Sequence, residues 1–285
     1  MNWHTRSERL YRSSLLLAVF IFTQMGTYAL QIVLGGSFGF NVFEACSGLL
    51  MSIGMPVLAY ALDALVVATI VTGLWQTARQ LYHTRKARTA FLRRADTKKT
   101  EELLRKFGLP GTTALAVIAH SAPLAFTMGL YRPHIVVSSG LIELLSDEEL
   151  GAVLHHERHH QASRDPLRSF VLGLCASVVW YLPILKWTSG QFRIARELLA
   201  DEYAVSRSGG FEPVAGALLK LARCAGRTDK PFLHASFAET SINYRIMRLV
   251  DPLNVTPPKL PARPAIGSAA IAAALTVAFI CTLQA

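Results

Sequence analysis

Charge is scarce in this chain. Only 17% of its 285 residues are Asp, Glu, Lys or Arg, against 52% hydrophobic, a balance unusual for a soluble domain, where about 25% are charged. Cysteine is scarce too. Cys46, Cys175, Cys224 and Cys281 are scattered and form no C-x-x-C, so neither a thiolate metal cluster nor a disulfide framework is indicated. A Cys46–Cys281 bridge near the outer face is the one pairing that the expected topology leaves open. No internal repeat is present. The net charge of +10 has no interleaved aromatic platform or recognition-helix pattern beside it, so direct nucleic-acid binding is not supported.

The missing charge is concentrated in three stretches. Ser13 to Phe43 carries none, and its most apolar part, Leu15 to Leu34, matches the ~20 residues needed to cross a bilayer. It is too long for a signal-peptide core and no small-x-small cleavage site closes it, so it reads as an anchor. Ala45 to Ala78 is a second such stretch, broken by Asp63, and 264–285 is a third. An ionisable residue inside a span is costly and often functional. Asp63 could pair with another span, face a watery cavity, or lie at the inner interface.

The basic residues orient these spans. Arg6, Arg9 and Arg12 precede the first, the connection Gly35 to Glu44 has no Lys or Arg, and a dense run from Arg79 to Lys106 follows the second. Positive flanks stay in the cytoplasm. The expected protein is therefore a multi-pass membrane protein whose N-terminus and body are cytoplasmic, with attraction to anionic headgroups as a side effect. Its expected divisions are a membrane region with two spans at 1–76, a cytoplasmic domain at 77–263, and a last span at 264–285, reached through the stiff proline-rich linker Thr256 to Pro264.

Against this background histidine is locally abundant, in Leu154-His155-His156-Glu157-Arg158-His159-His160. Read as H-E-x-x-H, His156 and His160 lie four apart on one helix face, where both imidazoles reach one metal ion. Glu157 is then placed to take a proton from the attacking water, which is the wiring of a zinc peptidase. The bare motif also arises by chance, and four close histidines can form a general metal-binding tract. Only one register puts a glutamate directly after the first histidine of an i, i+4 pair. His155 and His159 are then extras, with a structural role or one behind the metal ligands.

The local sequence predicts the helix that carries the motif. Ser146-Asp147-Glu148-Glu149 has the capping-box form with acids in the first turn, and Leu150, Val153 and Leu154 recur at helical spacing. Asp165-Pro166 reads as a cap followed by the first position of a new helix. The predicted helix runs from about Asp147 to Ala162.

A catalytic zinc takes three protein ligands and keeps one position open. The third candidate is Glu197, with Asp201 one turn on to accept a hydrogen bond from a ligand imidazole. A solvated acidic face that also includes Glu202 is the alternative. Leu198, Leu199 and Ala200 argue for burial, and a buried carboxylate needs a partner or a metal.

The order of these elements resembles the BlaR/MecR-type membrane metallopeptidases: Ala125-Phe-Thr-Met-Gly129, His134-Ile-Val-Val-Ser-Ser-Gly-Leu141, Leu145-Ser-Asp-Glu-Glu-Leu150, the histidine motif, Asp165, then Glu197 and Asp201. The resemblance is looser to HtpX-type membrane peptidases. It implies an α+β zincin of the gluzincin-like type with a small sheet packed on the two metal-binding helices, zinc held by His156, His160 and Glu197, and Glu157 as general base. It also implies that the edge strand Ala125 to Gly129 holds the substrate backbone by strand addition, unless it is an ordinary sheet strand. Candidate donors to the tetrahedral oxyanion are His234, Tyr244 and Arg245. Arg245-Ile246-x-x-Leu249 is similar to a segment downstream of the site in related peptidases, and a plain salt bridge is the alternative for Arg245.

The coarse reading of the body fits. Thr97 to Phe107 is a basic amphipathic helix, Ala114 to Ala119, Leu124 to Leu130 and His134 to Ser139 are strands, and helices follow. The apolar segment 168–187 lies between His160 and Glu197, which must meet at one ion, so a single crossing is excluded. It either enters the membrane and returns, turning near Pro183, or packs as a buried helix. Trp180 and Tyr181 favour the membrane version.

The expected function is a membrane zinc endopeptidase that cleaves protein substrates at the cytoplasmic face in regulatory signalling, with a cytoplasmic transcriptional repressor as the substrate implied by the resemblance. The alternatives are an HtpX-type quality-control protease, a catalytically inactive scaffold or signal transducer, and a metal-handling membrane protein, which would want ligands within the spans. An extracellular penicillin-binding sensor is not expected after Ala285, and no Ser-x-x-Lys is found, so sensing would fall to a separate partner protein.

Overall fold

A computed structural model of the chain describes residues 3–36, 39, 41–109, 113–225, 235–251 and 260–284. The chain is mainly helical with one small mixed sheet. It forms two compact units, one from Met1–Glu8, Leu81–Phe170 and Gly190–Pro257, the other from Arg9–Gln80, Val171–Ser189 and Pro258–Ala285.

The first unit contains the sheet, β1 (Leu115–Ile118), β2 (Ala125–Met128) and β3 (His134–Ser138), in the order β1-β3-β2. All three predicted strands are present within one or two residues of their expected bounds. β1 runs parallel to β3, pairing Leu115 with Ile135. β2 runs antiparallel to it, pairing Ala125 with Val137 and Thr127 with Ile135. The β-branched run Ile135-Val136-Val137 is wholly buried, as suits a central strand. The far side of β1 is covered by Asp96 N donating to Val117 O and by Thr100 Oγ1 accepting from Val117 N. β2 has no second strand neighbour among the described residues and is half-buried throughout. Its outer edge therefore keeps backbone donors and acceptors available.

Helix α4 (Thr97–Lys106), capped by Asp96, packs Leu103 into the core beneath β1. Helix α6 (Asp147–Ala162) docks on the same core through Leu150 and Leu154. Gln161 Nε2 ties its far end to the sheet by donating to Ala114 O at 3.0 Å and Pro133 O at 2.9 Å. Buried Ser138 joins β3 to α5 (Ser139–Leu144). Its hydroxyl accepts from Leu124 N and Leu141 N and donates to Ala122 O.

Gly140 follows directly. A Cβ there would lie 2.0 Å from Ser121 O. Gly140→Ala is expected to destabilise this unit by about 1–3 kcal/mol, the usual cost of overpacking. Thermal unfolding of the detergent-purified protein measures it, and an unchanged midpoint counts against the contact.

The second unit holds parts of α1 (Trp3–Leu34) and α3 (Pro56–Arg93), which among the described residues are the two helices long and apolar enough to cross a membrane. The expected second stretch, Ala45 to Ala78, is not continuous. It divides into α2 (Val42–Ser52), capped by Asn41, and the start of α3. Gly54 adopts a φ of +76° between them, a backbone state that glycine takes without steric cost. Pro56 then opens α3, where a missing N–H leaves no bond unmade. The basic run from Arg79 continues this helix to Arg93. Its Ala, Gln, Leu, Lys and Arg residues are good helix formers. In α3, Asp63 Oδ1 accepts from the Tyr28 hydroxyl of α1 at 2.5 Å, so of the readings considered for Asp63 the structure displays a pairing between two helices.

The segment 168–187 forms a helical reversal. α7 (Asp165–Val178) ends, residues 179–182 turn, and Pro183 opens α8 (Pro183–Ser208). The stretch expected as a third span is helical, within α11 (Ala262–Gln284). Cys46, Cys175 and Cys224 are free thiols, so the bridge left open for Cys46 is not formed.

Candidate metal centre

Five helices contribute to one pocket, and four of them carry its polar residues. Helix α6 starts where the capping box requires: Ser146 Oγ accepts from Glu149 N, and Glu149 Oε2 accepts from Ser146 N at 2.8 Å. Three acids occupy its first turn, favoured there by the helix dipole. This places His156, Glu157 and His160 on consecutive turns, all buried.

Helix α8 presents Glu197 and Asp201 from one face, four residues apart. Leu198 and Ala200 are buried and the Asp201 side chain is only 2% exposed, which rules out the solvated-face alternative for it. Asp165 comes from the start of α7 and Arg245 from α10 (Ala235–Val250).

His156 Nε2 lies 3.1 Å from His160 Nε2, 3.5 Å from Glu197 Oε2, and His160 Nε2 lies 3.6 Å from Glu197 Oε1. Ligands held at 2.0–2.2 Å in a tetrahedral array would be separated by roughly 3.3–3.5 Å. The three donors thus have the separation and chemistry to hold one metal ion, and they are the metal-capable cluster found among the described residues.

A carboxylate stands against the other nitrogen of each imidazole. His156 Nδ1 lies 2.9 Å from Asp201 Oδ1, and His160 Nδ1 lies 2.6 Å from Asp165 Oδ2. Such carboxylates fix the ring orientation and leave Nε2 as the ligating atom. Asp201 is where the sequence placed it. Asp165 is a correction: its carboxylate is turned to His160 rather than to a helix cap, and Pro166 is the second residue of α7, not the first. The chain reverses there through Arg164, whose φ of 52° is uncommon for a residue with a side chain. The signal was present in the spacing, since Asp165 follows His160 by five residues, but a local capping rule absorbed it.

Glu157 is buried, and its Oε2 lies 2.7 Å from the Thr127 hydroxyl, which is also 2.9 Å from the Glu157 backbone oxygen. The edge strand β2 therefore orients the Glu157 carboxylate. The sequence reading quoted Thr127 without assigning it this contact, because only the register of β2 against α6 brings it there.

The electrostatics are those of a closed ion network. Burial pushes both imidazoles toward neutrality, but Asp201 and Glu197 more than offset this for His156, and Glu197 and Asp165 raise His160 to about 10. Burial would raise Glu197, yet His160, His156 and Arg196 hold it well below the usual carboxylate range. Asp201 is lowered in the same way, against burial, by His156 and Arg245. Without metal the histidine protons balance the carboxylates, and a bound cation takes their place.

Arg245 grips Asp201 with two bonds, Nε to Oδ2 at 2.7 Å and Nη2 to Oδ1 at 2.8 Å, and its Nη1 lies 3.6 Å from Glu197 Oε2. Arg196 Nη2 stands 3.2 Å from Glu197 Oε1. Tyr244 packs against Trp3, Ile194, Ala195 and Leu198, apart from the pocket lining. His234 lies outside the described residues. His155 and His159 face Tyr203, with ring centroids 6.4 and 5.5 Å away, and burial holds both below the ordinary imidazole value.

The cavity above these groups has a volume of about 360 Å³. β2 (Ala125, Phe126, Thr127) forms one side, and Val214, Ala217 and Leu218 of α9 (Glu212–Ala225) form an apolar wall.

Comparison with known proteins adds an independent finding. The family pattern described as BlaR1 peptidase M56 matches residues 52–249. The chain is 29% identical over 170 residues to a protease HtpX homolog of Thermococcus kodakarensis, covering 53% of this chain and 58% of that protein. It is 42% identical over 69 residues to a protease HtpX homolog of Archaeoglobus fulgidus, covering 24% and 21%. To the regulatory protein BlaR1 of Bacillus licheniformis it is 31% identical over 88 residues, covering 30% and 14%. The matches thus span less than two thirds of each of these relatives.

Proposed function

This chain belongs to the BlaR1 peptidase M56 family, and from that premise we propose that it is a membrane zinc endopeptidase that cleaves protein substrates at the cytoplasmic face in a regulatory pathway. The observation that carries this reading is the convergence of His156, His160 and Glu197 beside a buried, strand-oriented Glu157, in a cavity lined by the edge strand β2.

Two imidazoles and one carboxylate are a donor set of catalytic zinc sites, with one position left open. Zinc bound there supplies a Lewis acid that polarises the scissile carbonyl and makes water nucleophilic near neutral pH. The remaining work falls to the chain. Glu157 takes the proton of the attacking water at its carboxylate and passes it to the leaving amine. The Thr127 hydroxyl holds that carboxylate in position. The free edge of β2 binds the substrate backbone in extended form, and the apolar wall of α9 receives a neighbouring side chain. Asp165 and Asp201 fix the rings of the ligand histidines.

The doubly bonded ion pair with Asp201 supports a positioning role for Arg245. Its Nη1 keeps a positive charge in the pocket wall, but two of its nitrogens are committed to Asp201.

Asp165→Asn keeps the size of the side chain and removes its charge. It is expected to weaken zinc binding by about 10–100-fold, the usual effect of losing an outer partner of a ligand histidine. Competition with a chromogenic chelator on the purified protein reads this directly. An unchanged affinity would show that the contact does not orient His160.

The substrate is tested by a proteomic comparison of cells carrying the wild-type chain and Glu157→Gln. A few discrete cleavage products absent from the variant, a transcriptional repressor among them, agree with the regulatory reading. A second reading, an HtpX-type quality-control protease, is favoured by the longer matches to the HtpX homologs. It predicts broad accumulation of misfolded membrane proteins in the variant instead.

A further inference from the structure

We propose that the arginines at the base of the β2–β3 turn form a binding site for a phosphate group, with the headgroup of an anionic lipid as the source that its position favours. A cavity of about 310 Å³ is lined by Arg85 and Arg88 of α3 and by Gly129, Tyr131 and Arg132 of the turn. That volume is at the lower end of small-ligand pockets. No carboxylate lines it, and none of the three arginines forms an ion pair with a described residue. Arg88 Nε is buried without a hydrogen-bond partner. Three like charges facing one concavity repel one another, and a buried guanidinium N–H without a partner is costly. A phosphate answers both, because its oxygens match the planar fork of arginine and its charge offsets the cluster.

The position favours lipid. Arg85 and Arg88 are one turn apart on the same helix that carries an apolar, span-length stretch. Arg85 lies ~9 Å along the axis beyond Arg79, the first basic residue after that stretch, and a long side chain can reach back toward the headgroup layer. Tyr131 is 76% exposed at the tip of the turn, and exposed tyrosines suit the membrane interface. The turn itself is tight. Gly129 has a φ of +104°, and a Cβ on it would lie 2.7 Å from Arg132 O. Arg132 is thus held against the cavity by the same turn that ends the edge strand β2.

The experiment uses the full chain in nanodiscs of phosphatidylcholine with or without phosphatidylglycerol, and in detergent with inorganic phosphate. It compares Arg85→Gln/Arg88→Gln/Arg132→Gln with the charge-matched control Arg94→Gln/Lys98→Gln/Lys99→Gln. Native mass spectrometry counts retained lipid. Phosphatidylglycerol retention is expected to fall at least about tenfold in the arginine variant and less than about twofold in the control. The single Arg88→Lys, which keeps charge and fold but loses the fork, is expected to fall severalfold.

Inorganic phosphate binding with the same arginine dependence, and no lipid preference, would support the phosphate site and assign it to a soluble compound. Equal losses in the arginine variant and the control, or undiminished retention in Arg88→Lys together with the triple variant, would overturn the proposal. Binding is read without any cleavage assay, so the result is independent of the peptidase reading.

Discussion

Glu157→Gln is expected to reduce peptide-bond cleavage at least about 10³-fold while zinc stays bound. A positioned general base contributes about 10²–10⁴-fold, and here the same carboxylate serves both proton transfers of the reaction. The substitution is close to isosteric. The amide oxygen of glutamine can still accept from the Thr127 hydroxyl, which now lies 2.7 Å from Glu157 Oε2, so the side chain keeps its place. The three metal donors, His156, His160 and Glu197, are untouched. The effect should therefore fall on turnover alone. Purified protein, a quenched fluorescent peptide library and metal analysis by mass spectrometry provide both readouts. If the variant cleaves at the wild-type rate, the proton acceptor is another group and the assignment of Glu157 fails. If it loses zinc as well, Glu157 has a structural share that its contacts do not suggest.

Glu197→Gln is expected to act one step earlier, by removing the metal. It leaves two imidazoles where a catalytic zinc needs three ligands, and affinity should fall by more than the ~10–100-fold typical of losing an outer partner. The charge left behind adds to the loss. Arg196 Nη2 and Arg245 Nη1 lie 3.2 and 3.6 Å from the Glu197 carboxylate, and with a neutral amide they repel a cation with less opposition. Chelation of the wild-type protein should reproduce the loss of activity, and added zinc should restore it. In Glu197→Gln the same addition should restore little. Full activity of the variant at stoichiometric zinc would show that the third ligand lies elsewhere.

Much of this centre was legible in the amino-acid order because its rules are local. The spacing of His156 and His160 places both imidazoles on one face of any helix, and the Ser146–Glu149 capping box sets where that helix begins. The same holds for Glu197 and Asp201, whose apolar neighbours marked a buried face, and for the three strands, which are bounded by Pro and Gly. The misreadings also have local causes. Gly54 and Pro56 interrupt an apolar stretch that hydropathy alone treats as continuous. Asp165 satisfied a capping pattern, so its longer-range partner was overlooked.

Amino-acid order thus determined most of the helices, their faces, the edge-strand segment and the two i, i+4 pairs that carry the candidate metal donors, since each of these depends on residues within one or two turns of one another. Only the tertiary structure decided the arrangement: Asp165 with His160, Asp201 with both His156 and Arg245, Thr127 with Glu157, and three arginines around one cavity. Its ion pairs and hydrogen bonds join residues up to 45 positions apart, as between His156 and Asp201, and their formation depends on how α6, α7, α8, α10 and the sheet pack. Packing is set by the burial of many side chains together, a sum over the whole core that no short window of sequence contains.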